Sequence, residues 1–331
     1  MKRVGNLLEQ IIDRENLRLA FHKALRGKRS RGDARAFAEC LEDHLCRMAE
    51  EVCCGKFPVG RYHQFTIYDP KLRVITAPCF AERVLHHAIL NVCEPAFERF
   101  LIGDTYACRR GKGRIAALAR ARRFAFRQGF FLKMDICKYF PSVSQEILLA
   151  KLQRMFKDQR LLKLFARIIQ GFEDSPGRGL PIGSLTSQHF ANFYLGFFDH
   201  FVKETLRIKG YVRYMDDMVL WSDSAPTLRE CLVQARAFLA EELELQLKLQ
   251  PYINRTRHGM DFLGCRVFRT HLALNARSRR RFSHKLQALE IAVLAGHVGE
   301  RERQERATSL VAFTRTPGIK SWHFRRAVLQ R

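Results

Sequence analysis

The chain has 331 residues, 47% of them apolar, and carries 58 Lys or Arg against 33 Asp or Glu, a net charge of +25. The length accommodates two or three domain-sized pieces with ample material for a core. So large a basic excess, spread along the chain, favours a polyanionic partner such as nucleic acid over a merely solvated surface or an anionic membrane.

No apolar core follows Met1-Lys2-Arg3, so neither a signal peptide nor a membrane span is expected. From Leu7 to about Cys54 apolar residues recur at helical spacing. They are interrupted by Arg26-Gly27-Lys28-Arg29-Ser30-Arg31-Gly32, a basic break that is either a flexible connector or a phosphate contact. Residues 62–75 alternate, which suits strands, and 80–91 and 114–127 read as helices. Arg120, Arg122 and Arg123 make the second helix basic, as a solvated face or an RNA groove. Phe130-Phe131-Leu132-Lys133-Met134-Asp135-Ile136 predicts a buried strand with an acid near its end. A helix is expected from Ser142 or Ser144, either able to cap it, through Phe156. Another is expected over about 185–206, after a Gly- and Pro-rich loop at 175–183.

Tyr211-Val212-Arg213 and Met218-Val219-Leu220-Trp221 bracket Tyr214-Met215-Asp216-Asp217 as strand, tight turn and strand. Beyond them Leu228, Cys231, Leu232, Ala235, Phe238, Leu239 and Leu243 recur at three- and four-residue steps behind Pro226. They predict an amphipathic helix with one buried face. Residues 283–294 and 301–313 read as helices in a tail that holds 13 Lys or Arg against 4 Glu from Arg277 onward. The ten cysteines show no Cys-x-x-Cys pair among Cys40, Cys46, Cys53 and Cys54, and the others fall singly. Reduced core thiols and a cytoplasmic setting are expected, and zinc is not. His86-His87 sit on a predicted helix, where adjacent side chains diverge, so they read as helix-face residues.

Asp216-Asp217 concentrates charge at a hairpin tip, and Asp135 closes a core strand. Acids so placed repel one another and are costly to bury unless a cation neutralises them. Singly, each has a plainer reading: a solvated turn for the pair, a capping role or an ion pair with Lys138 for Asp135. Together they suit a three-carboxylate cluster holding two magnesium ions about 3.5–4 Å apart, the arrangement used for in-line phosphoryl transfer.

Between Phe65 and Phe268 the chain resembles a reverse transcriptase, with that family's motifs in order. Phe65-Thr66-Ile67-Tyr68-Asp69-Pro70-Lys71-Leu72-Arg73-Val74-Ile75-Thr76-Ala77-Pro78 is similar to the first motif, and Thr105 to Gly113 to the second. The strand ending in Asp135 is the third, Gly179 to Gln188 the fourth, Tyr214 to Asp217 the fifth and Gly259 to Gly264 the seventh. The fourth carries Ile182-Gly183 and Ser187-Gln188, where most relatives have Gln-Gly and Ser-Pro. With Phe80-Ala81-Glu82-Arg83-Val84-Leu85-His86-His87, that variant resembles the enzymes of diversity-generating retroelements, which copy a template-repeat RNA with errors at adenines. A defence-associated or group II intron-like enzyme is the alternative within the same chemistry. A non-catalytic RNA-binding protein on a decayed polymerase fold is the alternative outside it, and the intact Asp135, Asp216 and Asp217 argue against decay.

The resemblance implies an α+β right-hand polymerase: a helical extension (1–60), fingers (61–130 with part of 141–185), a palm with a split β-α-β sheet (131–268) and a basic helical thumb (269–331). It also implies roles. Asp135 and Asp216 would bridge two magnesium ions, with Asp217 in support and the backbone carbonyl of Ile136 as an added ligand. Lys71 and Arg73 would grip the triphosphate, unless they are an exposed strand edge. Lys138, Tyr139, Phe140, Ile182 and Gly183 would line the deoxynucleotide site. Phe140 would exclude a 2′-hydroxyl there, or else is a core aromatic. Ile182 either loosens base discrimination by lacking the amide of Gln or simply packs. The sixth motif departs from the family: Leu247-Lys248-Leu249-Gln250-Pro251 is followed by Tyr252-Ile253-Asn254-Arg255 without the usual Lys, so Arg255 or Arg257 substitutes or the loop is shortened. Template RNA, nascent cDNA and deoxynucleotides are the implied partners, with a basic oligomeric accessory protein. The basic tail serves the template-primer duplex or that protein. No nuclease module is expected after Phe313.

Overall fold

The computed structural model describes residues 3–68, 72–314 and 319. Four helices open the chain: α1 (Leu8–Ile12), α2 (Arg14–Leu25), α3 (Gly32–Glu39) and α4 (Leu41–Cys53). Asp13 starts α2 by accepting from the amides of Glu15 and Asn16, and the basic break falls between α2 and α3. β1 (Tyr62–Tyr68) and β2 (Leu72–Pro78) form an antiparallel hairpin. α5 (Phe80–Phe100) runs well past its predicted end, through Pro95. Its buried stripe of Val84, Leu85, Ala88, Ile89, Cys93, Ala96 and Phe97 continues through that point, so packing outweighs the roughly 3 kcal/mol a helical Pro costs.

α6 (Arg114–Arg127) and β3 (Phe130–Asp135) lie where the sequence places them. A short α7 (Tyr139–Ser142) precedes α8 (Gln145–Met155), and Ser144 is the residue that caps α8, through the amide of Ile147. α9 (Gln159–Gln170) was not anticipated, although Asp158 caps it and Leu161, Leu162, Phe165, Ile168 and Ile169 follow at helical spacing. The helix expected over 185–206 is three pieces: α10 (Leu185–Tyr194), α11 (Gly196–His200) and a π turn at Phe201–Thr205. Then come β4 (Gly210–Tyr214), β5 (Asp217–Ser222), α12 (Ala225–Leu243), β6 (Tyr252–Arg255), β7 (Met260–Phe262), β8 (Cys265–Val267), β9 (Leu272–Leu274), α13 (Ala276–Leu294) and α14 (Glu300–Thr314).

These elements divide into two compact units made of interleaved segments. The first comprises Met1–Gly103, Ile136–Phe201 and Arg236–Leu247, and is helical apart from the β1–β2 hairpin. Phe97, Phe156, Phe165, Phe190 and Phe193 form its aromatic centre, with Phe97 to Phe156 at 5.6 Å and Phe165 to Phe190 at 5.3 Å between ring centroids. The second comprises Asp104–Asp135, Val202–Ala235 and Lys248–Arg331. Its antiparallel sheet has the order β4-β5-β3-β6, beside a β7-β8-β9 meander. Phe124 of α6, Phe131, Val212, Val219 and Trp221 of the sheet, and Met260, Phe262, Val267 and Leu272 share one core.

Two sequence expectations are corrected. Only Cys93, Cys231 and Cys265 are buried, while Cys40, Cys46, Cys53, Cys54 and Cys137 are exposed, because they fall on the outward stripe of short helices or in turns. His86 is not on a helix surface: it is fully buried, because α5 is packed on most of its circumference. No helix among the described residues is long and apolar enough to cross a membrane.

Candidate active site

The second unit gathers all three acids. β4 and β5 pair down to Tyr214 opposite Asp217, which leaves Met215-Asp216 as a two-residue hairpin loop. Such loops need positive φ at the first position, and Met215 adopts φ +57° there. A Met in that region is strained by about 1–3 kcal/mol. The buried guanidinium of Arg213 donates to the Met215 carbonyl at 3.1 Å, holding the loop from below. β5 in turn pairs with β3 so that Asp217 stands directly opposite Asp135. Like charges opposed across strands destabilise a sheet, so the register is one that folding alone would not select.

Burial pushes the Asp217 carboxyl up to about 6; Lys133 works against the rise, and the charges of Asp135 and Asp216 add to it. Asp216 is raised as well, first by burial and then by the charge of Asp135. Two lysines offset this crowding. Lys133, two residues before Asp135 on β3, places Nζ 3.3 Å from Oδ2 of Asp217. Lys248 is anchored by its amide, 2.9 Å from the Asp135 carbonyl, and its Nζ pairs with Oδ2 of Asp135.

A divalent cation fits this donor set by chemistry. Oδ1 of Asp135 and Oδ1 of Asp217 are buried and accept no hydrogen bond, and hard cations prefer such oxygens. As the side chains stand, the lysines hold the other two oxygens, and among the described residues no three His, Cys, Asp or Glu side chains close on one ion.

The residues expected to hold a nucleotide belong to the first unit, apart from Lys71, which lies outside the described residues. Ile136 is fully buried, and the amide of the next residue, Cys137, donates to the Gln246 carbonyl at 2.8 Å. Lys138 is exposed with φ +42°, turning the chain into α7. The buried Tyr139 donates its hydroxyl to the Ala191 carbonyl on α10, which makes it a support. Phe140 is half-buried, and its carbonyl accepts from the Leu180 amide at 3.0 Å, tying the Gly179–Gly183 loop to α7. That loop also reaches β2: the Ile182 carbonyl accepts from the Thr76 amide at 2.7 Å. Gly183 adopts φ +123°, and a Cβ there would stand 2.7 Å from Cγ2 of Ile75. Ile182 is half-buried, and Arg73, three residues before Thr76 on β2, is exposed. Phe140, Ile182 and Gly183 are thus joined to the strand that carries Arg73.

Lys133, Lys248 and Arg213 were missed by the sequence reading. The register could have found Lys133, since the alternation of β3 puts Lys133 and Asp135 on one side. Arg255 and Arg257 do not substitute at the acids: β6 sets Arg255 opposite Phe130, on the order of 16 Å along the strand from Asp135, and Arg257 contacts His258. The cation beside the acids from that stretch is Lys248. Asp135 pairs with it, not with Lys138.

A family model described as reverse transcriptase (RNA-dependent DNA polymerase) matches residues 68–267. A putative COX1/OXI3 intron 1 protein of Saccharomyces cerevisiae is 21% identical over 181 residues, 51% of this chain and 22% of that protein. The mitochondrial nuclear intron maturase 4 of Arabidopsis thaliana is 29% identical over 164 residues, 46% of this chain and 20% of that protein. Protein YkfC of Escherichia coli is 24% identical over 254 residues, 61% of this chain and 66% of that protein. This chain therefore spans about a fifth of the length of the first two. Among solved structures, telomerase from Candida albicans with a fragment of telomeric RNA aligns at 12% identity and a TM-score of 0.46, covering 90% of this chain and 60% of that one. Apo telomerase from Candida tropicalis, truncated from its C-terminal domain, aligns at 10% identity and a TM-score of 0.49, covering 65% and 55%.

Proposed function

We propose, because this chain belongs to the reverse transcriptase (RNA-dependent DNA polymerase) family, that it is an RNA-directed DNA polymerase extending a primer on an RNA template. One observation carries the reading: Asp135 stands opposite Asp217, its charge raises the carboxyls of both Asp217 and Asp216, and Oδ1 of Asp135 and of Asp217 stay buried without a hydrogen bond even though Lys133 and Lys248 offset part of the charge. The fold is that of the right-hand polymerases, and we assign 61–130 with part of 141–185 to fingers, 131–268 to palm, 269–331 to thumb and 1–60 to a helical extension.

Asp135, Asp216 and Asp217, with the backbone carbonyl of Ile136, would hold two magnesium ions. When bound, such ions would supply Lewis-acid stabilisation of the charge that develops on the attacking 3′-oxygen and on the leaving pyrophosphate. The remaining work falls to the chain itself. Lys133 and Lys248 keep the acids apart and ionised by offsetting their mutual repulsion. Arg213 fixes the loop that presents Asp216. Lys71 and Arg73 grip the triphosphate, the Arg by bidentate contact. Lys138 and Gly183 border the nucleotide, Tyr139 braces α7, and the ring of Phe140 excludes a 2′-hydroxyl. The basic α13 and its flanks hold the duplex by phosphates, contacts that position without reading sequence.

Within the family we assign the chain to the diversity-generating retroelements, on Ile182-Gly183 and Ser187-Gln188, with a template-repeat RNA as template and mutagenised cDNA as product. A basic oligomeric accessory protein and a cytoplasmic setting go with that assignment. The intron-type reading is favoured by a different observation, the intron proteins among its relatives. Sequencing cDNA made on a defined RNA separates the two. Errors concentrated opposite adenines, reduced by Ile182→Gln, support the retroelement; accurate copying supports the intron type and removes the role given to Ile182.

A further inference from the structure

Behind Ile182 and Gly183, buried polar groups from three parts of the first unit are joined end to end. Glu82 and His86 stand one turn apart on α5, both fully buried. One Glu82 oxygen accepts from the amides of Gly60 at 3.0 Å and Arg61 at 3.3 Å. The other faces Nε2 of His86 at 3.5 Å, and neither of these two atoms has another polar partner among the described residues. Across the ring, Nδ1 lies 3.3 Å from Oγ of Ser184, which lies 3.1 Å from Oγ1 of Thr186.

Stability does not explain this set. Buried polar groups of this kind are commonly replaced by packed apolar ones without loss. Ser184 also forgoes a local use: it stands at the N-cap of α10, yet its side chain makes no capping bond. A hydrolytic Ser-His-Glu site is ruled out by burial, since Ser184 is 1% exposed and His86 0%. What the set does is geometric. Residues 182 and 183 are fixed to β2 through the Thr76 amide and the close approach of Gly183 to Ile75. The adjoining Ser184 is fixed to α5 through His86, and α5 to the Gly60-Arg61 loop through Glu82.

We propose that Glu82, His86 and Ser184 form a positioning relay that sets where Ile182 stands, and through it how strictly an incoming nucleotide is matched to the template. The proposal rests on the reading that Ile182 borders that nucleotide. None of the three residues touches substrate; His86 acts by orienting Ser184, and Glu82 by orienting His86.

The test measures KM and kcat for each deoxynucleotide, the error spectrum and the Tm of Ser184→Ala, Ser184→Thr, Glu82→Gln, Ile182→Gln and the double variant Ser184→Ala/Ile182→Gln. Ser184→Ala is expected to change misincorporation and nucleotide KM by roughly two- to thirtyfold with kcat nearly unchanged. Glu82→Gln should move them the same way, and Ser184→Thr, which keeps the hydroxyl, should restore them. In the double variant the two effects should be non-additive. A lower Tm with unchanged KM and error spectrum in both Ser184→Ala and Glu82→Gln overturns the relay and leaves a structural role. If Ile182→Gln alters the spectrum and Ser184→Ala does not, the relay alone falls. If Ser184→Ala alters it and Ile182→Gln does not, the placement of Ile182 at the nucleotide falls, and with it the route proposed here.

Discussion

Asp217→Asn should stabilise the protein while destroying its activity, and most of the gain should disappear in acid. The Asp217 carboxyl has an ordinary pKa of 3.8 and is pushed up to about 6 in the fold, chiefly by burial. Between those values the folded chain binds more protons than the unfolded one, so stability falls as pH rises through that window. Above about pH 6 the penalty is complete, and its ceiling is about 3 kcal/mol. The side chain keeps 24% exposure, and Asn forfeits the Lys133 pair, so the net gain is expected near 1–2 kcal/mol. For a folding unit of 150–250 residues that is a rise in Tm of about 2–8 °C. Thermal unfolding followed by circular dichroism, in EDTA, at about pH 7.5 and about pH 4 reads the effect directly. The variant should be the more stable protein at the higher pH, with most of that gain lost at the lower. An Asn variant no more stable at neutral pH, or a gain that persists unchanged in acid, would refute the claim that this carboxylate is held charged against its surroundings.

Three further outcomes are expected. Phe140→Ala should raise ribonucleotide incorporation about 10–200-fold in single-nucleotide competition with little loss of deoxynucleotide use; unchanged sugar discrimination would return Phe140 to a packing role. Gly183→Ala forces a Cβ to 2.7 Å from Ile75 at φ +123°, and should cost about 1–3 kcal/mol in urea unfolding and weaken nucleotide binding; a silent variant would mean the loop is not pinned to β2. Lys248→Met removes a charge that holds the Asp216 pKa down, so the acid limb of the pH–rate profile should move to higher pH, and an unmoved limb would exclude Lys248 from the cluster's electrostatics.

The strands that carry the acids were legible because their signals are local. An apolar run ending in Asp135 and a hairpin tip at Asp216-Asp217 need no knowledge of partners. The resemblance to the family's ordered motifs is what proposes the nucleotide-facing residues, down to Ile182 and Gly183. Lys248 was illegible because its meeting with Asp135, through a main-chain bond and a side-chain ion pair, spans 113 positions. The Glu82–His86–Ser184 contacts were illegible for the same reason: periodicity marks α5 as a helix but not that it is enclosed on most sides, so His86 reads as a surface residue. α9 was legible and overlooked, its Asp158 cap and leucine stripe being ordinary helix signals. The Pro95 passage and the break at Leu195 in α10–α11 are tertiary decisions that propensity cannot anticipate.

The most direct test of the account is primer extension with deoxynucleotides and magnesium on a defined RNA template, comparing the parent chain with Asp216→Asn. RNA-templated DNA is expected from the parent and none from the variant, with both folded to the same extent. Equal extension by the variant, or no extension by a folded parent supplied with its native RNA and accessory protein, would contradict it.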